Sequence, residues 1–276
     1  DNRAAVLNSV GVAMDWAERA QKDAAQNSLF GDDDAASAPP GLVATPAWSL
    51  KEGLAQEKAA LGFYFSGHPF SAYRVELAGF ISKSLAQLAP QAQPQLLAGI
   101  IAAVRTQMTR RGKMAFVLLD DGSARIDVAV FNEQYEALRD RLREDQLIIV
   151  LGKVSYDDYA GGLRVTADAI HDIDEARTRF AQRLRLALNG DASAERVKLL
   201  LGPFISDQGG CPVQVSYQAR GACCEIALGE RWRVRLSEDL IGELRDELRP
   251  ENVAIDYVAS PLAVVSAQTP RSARGA

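Results

Sequence analysis

Between about Leu96 and Ile173 the chain alternates short apolar runs with turn signals, in an order that few folds accommodate. Leu97–Thr106 and Met114–Leu119 read as strands, separated by the basic turn Thr109-Arg110-Arg111-Gly112-Lys113. Asp120-Asp121-Gly122-Ser123 signals a tight turn, because Asp and Ser side chains bond their own backbone and Gly accepts positive φ. Arg125–Phe131 then alternates, with Ile126, Val128 and Val130 on one face and Arg125, Asp127, Ala129 and Phe131 on the other. A helix is predicted from Glu133 to about Arg143. A strand over Leu147–Tyr156, a turn at Tyr159-Ala160-Gly161-Gly162 and a last strand over Leu163–Ile170 complete the stretch.

Three strands, a helix and two strands follow one another as in an OB-fold, a five-stranded barrel with the helix between strands three and four. One open sheet with an inserted helix would give the same string; closure is favoured because it removes exposed strand edges. The predicted fold class is α+β and multidomain: an N-terminal helix and linker, a five-stranded OB-fold β-barrel over 95–173, and a small C-terminal α+β domain over 174–258.

In the first 25 residues Val6, Leu7, Val10, Ala13, Met14 and Ala17 form one stripe at helical spacing. The helical pattern is already under way at Asp1, with neither initiator Met nor signal peptide, so the expectation is a piece of a longer polypeptide whose preceding part packs on that stripe. Residues 26–49 join Gln26-Asn27-Ser28-Leu29-Phe30 to a stretch rich in Ala, Pro and Ser, Ala35–Pro46, expected to be a mobile linker. Residues 50–94 form a short α-rich connection whose first helix ends near Gly62, with a turn at Gly67-His68-Pro69. The C-terminal domain alternates helices (Glu175–Arg183, Ser193–Leu201, Ser237–Leu248, with Ser193 and Ser237 as N-caps) and strands (Leu184–Leu188, Pro212–Tyr217, Cys223–Leu228, Val253–Tyr257). Residues 259–276 have the composition of a disordered tail.

Net charge is −5, so any nucleic-acid contact needs a local basic patch. Arg105, Arg110, Arg111 and Lys113 supply one around the first hairpin, with Arg125 on the third strand, and Phe116, Phe131, Tyr156 and Tyr159 are candidate stacking surfaces. Asp157 and Asp158 in the second loop would repel phosphate. The plainer alternative puts Phe116 and Phe131 in the core and leaves the arginines solvated. Leu29 and Phe30 stand between a polar helix end and three aspartates; leaving each exposed costs on the order of 2 kcal/mol. Either they enter a partner's pocket, with Gln26 and Ser28 beside them, or they fold back.

Catalytic signals are missing: there is no P-loop, HExxH or GxSxG, and Asp120-Asp121 reads as a turn rather than a two-metal carboxylate pair. Cys211, Cys223 and Cys224 lack zinc-ligand spacing and are expected to be buried free thiols in a reducing cytosol. No metal or cofactor is implied, and no apolar run approaches the ~20 residues of a membrane span.

Several segments together resemble the alpha subunit of bacterial DNA polymerase III. Glu57-Lys58-Ala59-Ala60-Leu61-Gly62-Phe63-Tyr64-Phe65-Ser66-Gly67-His68-Pro69 is similar to its connection between polymerase core and OB domain. Leu118–Asp121, Val128–Phe131 and Val150–Asp158 resemble its OB strands, and Ile170–Arg177 the exit from that barrel. The resemblance implies that Gln26, Ser28, Leu29 and Phe30 belong to an internal sliding-clamp-binding pentapeptide. It further implies an OB domain that binds single-stranded DNA template and a C-terminal domain that docks the clamp-loader tau subunit, with the remaining polymerase core subunits engaged through sequence not present. The family's catalytic aspartates and N-terminal phosphoesterase-like domain have no counterpart here. Two other readings stand beside it: a free-standing OB-fold protein binding single-stranded DNA or RNA, and the C-terminal part of an error-prone paralogue.

Overall fold

The computed structural model describes residues 2–25, 38–109, 112–157, 161–189, 194–206, 209–219 and 222–258. Two compact units divide the chain, 1–68 and 69–276.

In the first unit, α1 (Arg3–Ala25) precedes α2 (Leu50–Leu61). Ser49 opens α2 through a capping box with Glu52, and Gly62 closes it at φ 80°, a conformation glycine adopts without steric cost. The apolar stripe of α1 is turned to solvent in this chain: Val6, Leu7, Val10 and Met14 are about half exposed or more. The buried face is instead Ala4, Ala5 and Ser9, small side chains that let another backbone come close. Ser9 Oγ accepts from the Val43 amide at 2.8 Å, and Asn2 Nδ2 donates to the Thr45 carbonyl. Residues 38–48 therefore lack regular structure, as their composition implies, yet are tied along α1 rather than forming a free tether. Residues 26–37, pentapeptide included, lie outside the described residues.

The second unit begins with a 3-10 turn at Pro69–Ala72 and the short α3 (Arg74–Leu77). Next come β1 (Gln95–Thr109), β2 (Gly112–Asp120), β3 (Arg125–Val130), α4 (Asn132–Leu138), β4 (Leu147–Asp157) and β5 (Gly162–His171). They close into a barrel in the order β1-β2-β3-β5-β4, with β3 and β5 parallel and the other pairs antiparallel. Ile126, Val128 and Val130 point inward as the alternation requires. Gly152 sits where β4 shifts register; a Cβ there would lie 2.5 Å from the Thr166 carbonyl oxygen, so the close approach of β5 needs glycine. The helix after β3 stops at Leu138, five residues short of the sequence expectation, and the chain turns before β4.

The remainder is α5 (Ile173–Phe180), β6 (Ala181–Asn189), α6 (Ala194–Leu201), β7 (Val213–Ala219), β8 (Ala222–Ala227), α7 (Glu238–Leu248) and β9 (Val253–Tyr257). Its sheet runs β8-β7-β6-β9, and Leu184, Leu186 and Leu188 of β6 pack against α6 and α7. Asp172 caps α5 with Glu175 in a capping box, so the helix starts earlier and ends at Phe180, not at Arg183. Ser237 caps α7 as expected, accepting from the Leu240 amide. Ser193 and the 259–276 tail fall outside the described residues. The thiol expectation needs correction: the cysteines are free, but Cys223 and Cys224 are exposed and Cys211 is half-buried. β8 is an edge strand on which Cys223 to Ala227 are all exposed, so alternation there does not mean burial.

A third core joins the barrel to what surrounds it. Leu96, Ala98 and Ile100 of β1 and Leu147, Ile149 and Leu151 of β4 point outward, where Phe70, Leu77, Phe80, Ala176, Phe180 and Tyr257 cover them. Phe80 stacks at 4.7 Å from Tyr257 and 5.4 Å from Phe180, centroid to centroid.

Candidate nucleic-acid interface

β1 and β2 pair to the tip of their hairpin, with Thr109 opposite Gly112. Arg110 and Arg111, between Thr109 and Gly112 in sequence, and Tyr159, between β4 and β5 in sequence, lie outside the described residues. The other candidates sit on a surface built by strand register. Val117, Val128 and Val165 are fully buried, so their neighbours Phe116, Ala129 and Thr166 point outward, although Ala129 is itself covered, at 4% exposure. Arg105 pairs across from Phe116, Phe116 from Ala129, and Ala129 from Thr166, which makes one continuous row over β1, β2, β3 and β5.

Phe116 is thus on the outer face rather than in the core. The Arg164 guanidinium lies over its ring, 5.1 Å from the centroid. Arg164 Nη2 is 2.5 Å from Asp157 Oδ2, so that carboxylate, expected to repel phosphate, already faces a cation. Arg105 is not a bare charge either: its Nη2 donates to Asp127 Oδ1 at 2.9 Å. The Arg105–Asp127 pair is largely solvated, where such a contact contributes at most about 1 kcal/mol and yields to competition by salt or ligand; the Asp157 side chain is only 11% exposed.

The candidates divide between the two ends of the strip. Near the hairpin, Lys113 Nζ lies 5.3 Å from the centroid of the buried Tyr135 ring, and Phe131, just past β3, is half exposed. Arg125 lies at the opposite end of β2, paired with Asp120 through Nε at 2.6 Å. Seven residues of strand separate Asp120 from Lys113, roughly 24 Å at 3.4 Å per residue, so Arg125 is no part of the hairpin cluster. Tyr156 is exposed and pairs with Leu163, the residue before Arg164. Sequence reading passed over Arg164, although its place between Leu163 and the buried Val165 on an alternating strand marks it as outward-facing.

Asp120 Oδ1 accepts from the Gly122 amide, and Asp121 Oδ1 accepts from the Ser123 amide and hydroxyl. Asp121 Oδ2 accepts from the Leu85 amide at 2.8 Å. Burial raises the Asp121 carboxyl, but these donors outweigh it and hold the group below its ordinary value. Both aspartates build the turn, as the sequence suggested. Among the described residues no group of His, Cys, Asp and Glu side chains is arranged to hold a metal. No helix among them is long and apolar enough to cross a membrane.

Residues 96–173 match the model for an OB-fold nucleic acid binding domain, and residues 196–248 that for the C-terminal domain of DNA polymerase III subunit alpha. Among solved structures, the second OB-fold domain of replication protein A from Methanococcus maripaludis covers 33% of this chain and 93% of its own, at 18% identity and a TM-score of 0.27. The DNA polymerase III alpha subunit of Neisseria meningitidis is 38% identical over 259 residues, and that of Pseudomonas aeruginosa 35% over 272, each covering 93% of this chain. The chain spans 23% and 22% of the length of those two relatives. Over the residues it contains, the chain belongs to the bacterial DNA polymerase III alpha subunits and carries sequence of their C-terminal region, its OB-fold included.

Proposed function

We propose that this chain is the docking and template-handling part of a replicative polymerase subunit and does not itself carry the nucleotidyl-transfer site. The observation that carries the reading is the outer barrel face, where Phe116 stands among Arg105 and Arg164 with exposed Phe131 at one end. Aromatic faces interleaved with cations, beside a basic hairpin, suit single-stranded DNA: bases stack and phosphates meet Arg and Lys. Arg110, Arg111, Lys113 and Tyr159 belong to the same interface in this reading.

The pentapeptide Gln26–Phe30 binds the sliding clamp. In sequence it lies between α1 and residues 43–45, which bond to α1 or the residue before it through Val43 and Thr45. The C-terminal domain docks the tau subunit of the clamp loader.

The test is titration of the chain against the bacterial sliding clamp and, separately, a single-stranded oligonucleotide. Binding to the clamp that Leu29→Ala with Phe30→Ala abolishes, while oligonucleotide binding persists, is the expected pair of results. No binding to either ligand overturns the reading. Template-dependent nucleotide incorporation with magnesium would overturn the assignment of chemistry elsewhere.

A further inference from the structure

Arg164 links three strands of the barrel. It stands on β5 across from Asp127 of β3, its guanidinium covers Phe116 of β2, and its Nη2 meets Asp157 at the end of β4. Its Nε has no hydrogen-bond partner among the described residues. Two physical consequences follow. One face of the Phe116 ring is already occupied by a cation, so a base reaching this part of the barrel meets the guanidinium. Asp157 offsets the charge on that guanidinium, which leaves little for a phosphate, while 35% of the Arg164 side chain remains exposed.

We propose that Arg164 is a nucleobase-stacking residue. Its guanidinium, backed by the Phe116 ring and held by Asp157, forms the platform on which a base of the single strand lies. The proposal rests on the barrel binding single-stranded nucleic acid, and it names which group meets a base and in what way. A phosphate contact would need only a point charge, and a lid over Phe116 would have to leave before a base could stack.

The experiment is an anisotropy titration of the whole chain with a labelled single strand of roughly 12 nucleotides, within the site size of an OB-fold. It is run beside an abasic oligomer of equal length, at several salt concentrations, with Arg164→Ala and Arg164→Lys. Stacking predicts that both variants weaken binding to the base-bearing strand roughly five- to tenfold, the lower end of what one stacked base contributes. Both should leave the salt slope unchanged and bind the abasic strand as the parent does. If Arg164→Lys keeps the parent's affinity while Arg164→Ala loses it together with salt dependence, the residue is a phosphate contact and the proposal fails. Tighter binding by Arg164→Ala would make it a lid and equally overturn the proposal. A parent that binds neither oligomer would overturn the nucleic-acid reading of the barrel itself, a result visible before any substitution is compared.

Discussion

Replacing Arg177 by Met should produce one of the largest stability losses available in this chain, because it strands a buried carboxylate. Arg177 is 1% exposed and Glu76 7%. The guanidinium grips Glu76 with two bonds, Nε to Oε1 at 2.6 Å and Nη2 to Oε2 at 2.9 Å, while Tyr257 donates its hydroxyl to the same Oε1 at 2.7 Å. Its remaining nitrogen, Nη1, bonds Asp174 and Glu238. Those two acids are nearly half exposed and can return to water; Glu76 has no such recourse. Burial raises the Glu76 carboxyl, but the Arg177 hydrogen bonds and charge, with Tyr257 and Arg245, outweigh it and hold the group below its ordinary value. Breaking a buried pair by removing one partner costs about 3–5 kcal/mol. For a unit of this size that is a fall in melting temperature of about 6–20 °C. Without Arg177, desolvation dominates and the carboxyl moves above its ordinary value, so protonation relieves the penalty. The gap between parent and Arg177→Met should therefore narrow as pH falls through the carboxylate range. Arg177→Met combined with Glu76→Leu should recover most of the loss, since an apolar pair removes both charges. Scanning calorimetry of the parent and the two variants at two pH values decides it. A single-mutant loss below about 1 kcal/mol, or a double mutant no better than the single, would refute the stranded-charge account.

Glu57 predicts a second pH effect, in the first unit. The Ser66 hydroxyl and amide hold its carboxyl down to about 2 against its own desolvation, with Arg3 and the Phe65 amide adding to the effect. A depressed acid stabilises the fold fully above its ordinary value of 4.5 and loses that contribution as pH falls toward about 2. Glu57→Gln should remove this pH dependence, read as helical signal during acid titration; an unchanged titration would remove Glu57 from the account. At the hairpin, Arg110→Ala with Arg111→Ala should lower the slope of log affinity against log salt by roughly 1.4 if each meets one phosphate of a single strand. An unchanged slope would free the loop of that role. Truncation after Asp174 removes Ala176, Phe180 and Tyr257 from the core that covers β1 and β4, so the shortened chain should melt well below one that ends after Val258. Equal melting temperatures would show that the shared core contributes little.

How much of this was legible follows from what each feature depends on. The barrel strands were, because burial on one face imposes a period of two, and Ile126, Val128 and Val130 carry it without a break. So were the local devices: the Gly62 cap, the Ser237 cap and the Asp120-Asp121 turn are each decided within a few residues. α5 was read too long because Ala181, Gln182 and Arg183 suit a helix as well as a strand, and the alternation of β6 becomes visible only from Leu184. Charge pairs were the least legible. Asp127 meets Arg105 from 22 residues away and Glu76 meets Arg177 from 101, distances that only strand register and the shared core bring together. For the same reason Arg164 escaped notice: its value lies in Phe116 and Asp157, neither of which is its sequence neighbour.

Alternate residues of β1 and β4 serve different purposes, and this determines where the barrel can bind anything. Leu97, Ile101, Ile148 and Val150 fill the barrel, while Leu96, Ala98, Ile100, Leu147, Ile149 and Leu151 point outward into the third core. The outer surface of the first half of β4 and of the first half of β1 is thereby committed to α5, β9 and the segment from Phe70 to Phe80. Farther along, β1 turns exposed after Val104, which leaves its second half with β2, β3 and β5 as the open side. Covering one side fixes the orientation of the C-terminal domain about the barrel, and the buried Arg177–Glu76 pair locks α5 to α3 within that cover. A partner held by the C-terminal domain would then keep a constant bearing to a single strand lying across Phe116 and Arg164. The rigidity of the shared core, more than any contact between the two ligands, is what would coordinate them.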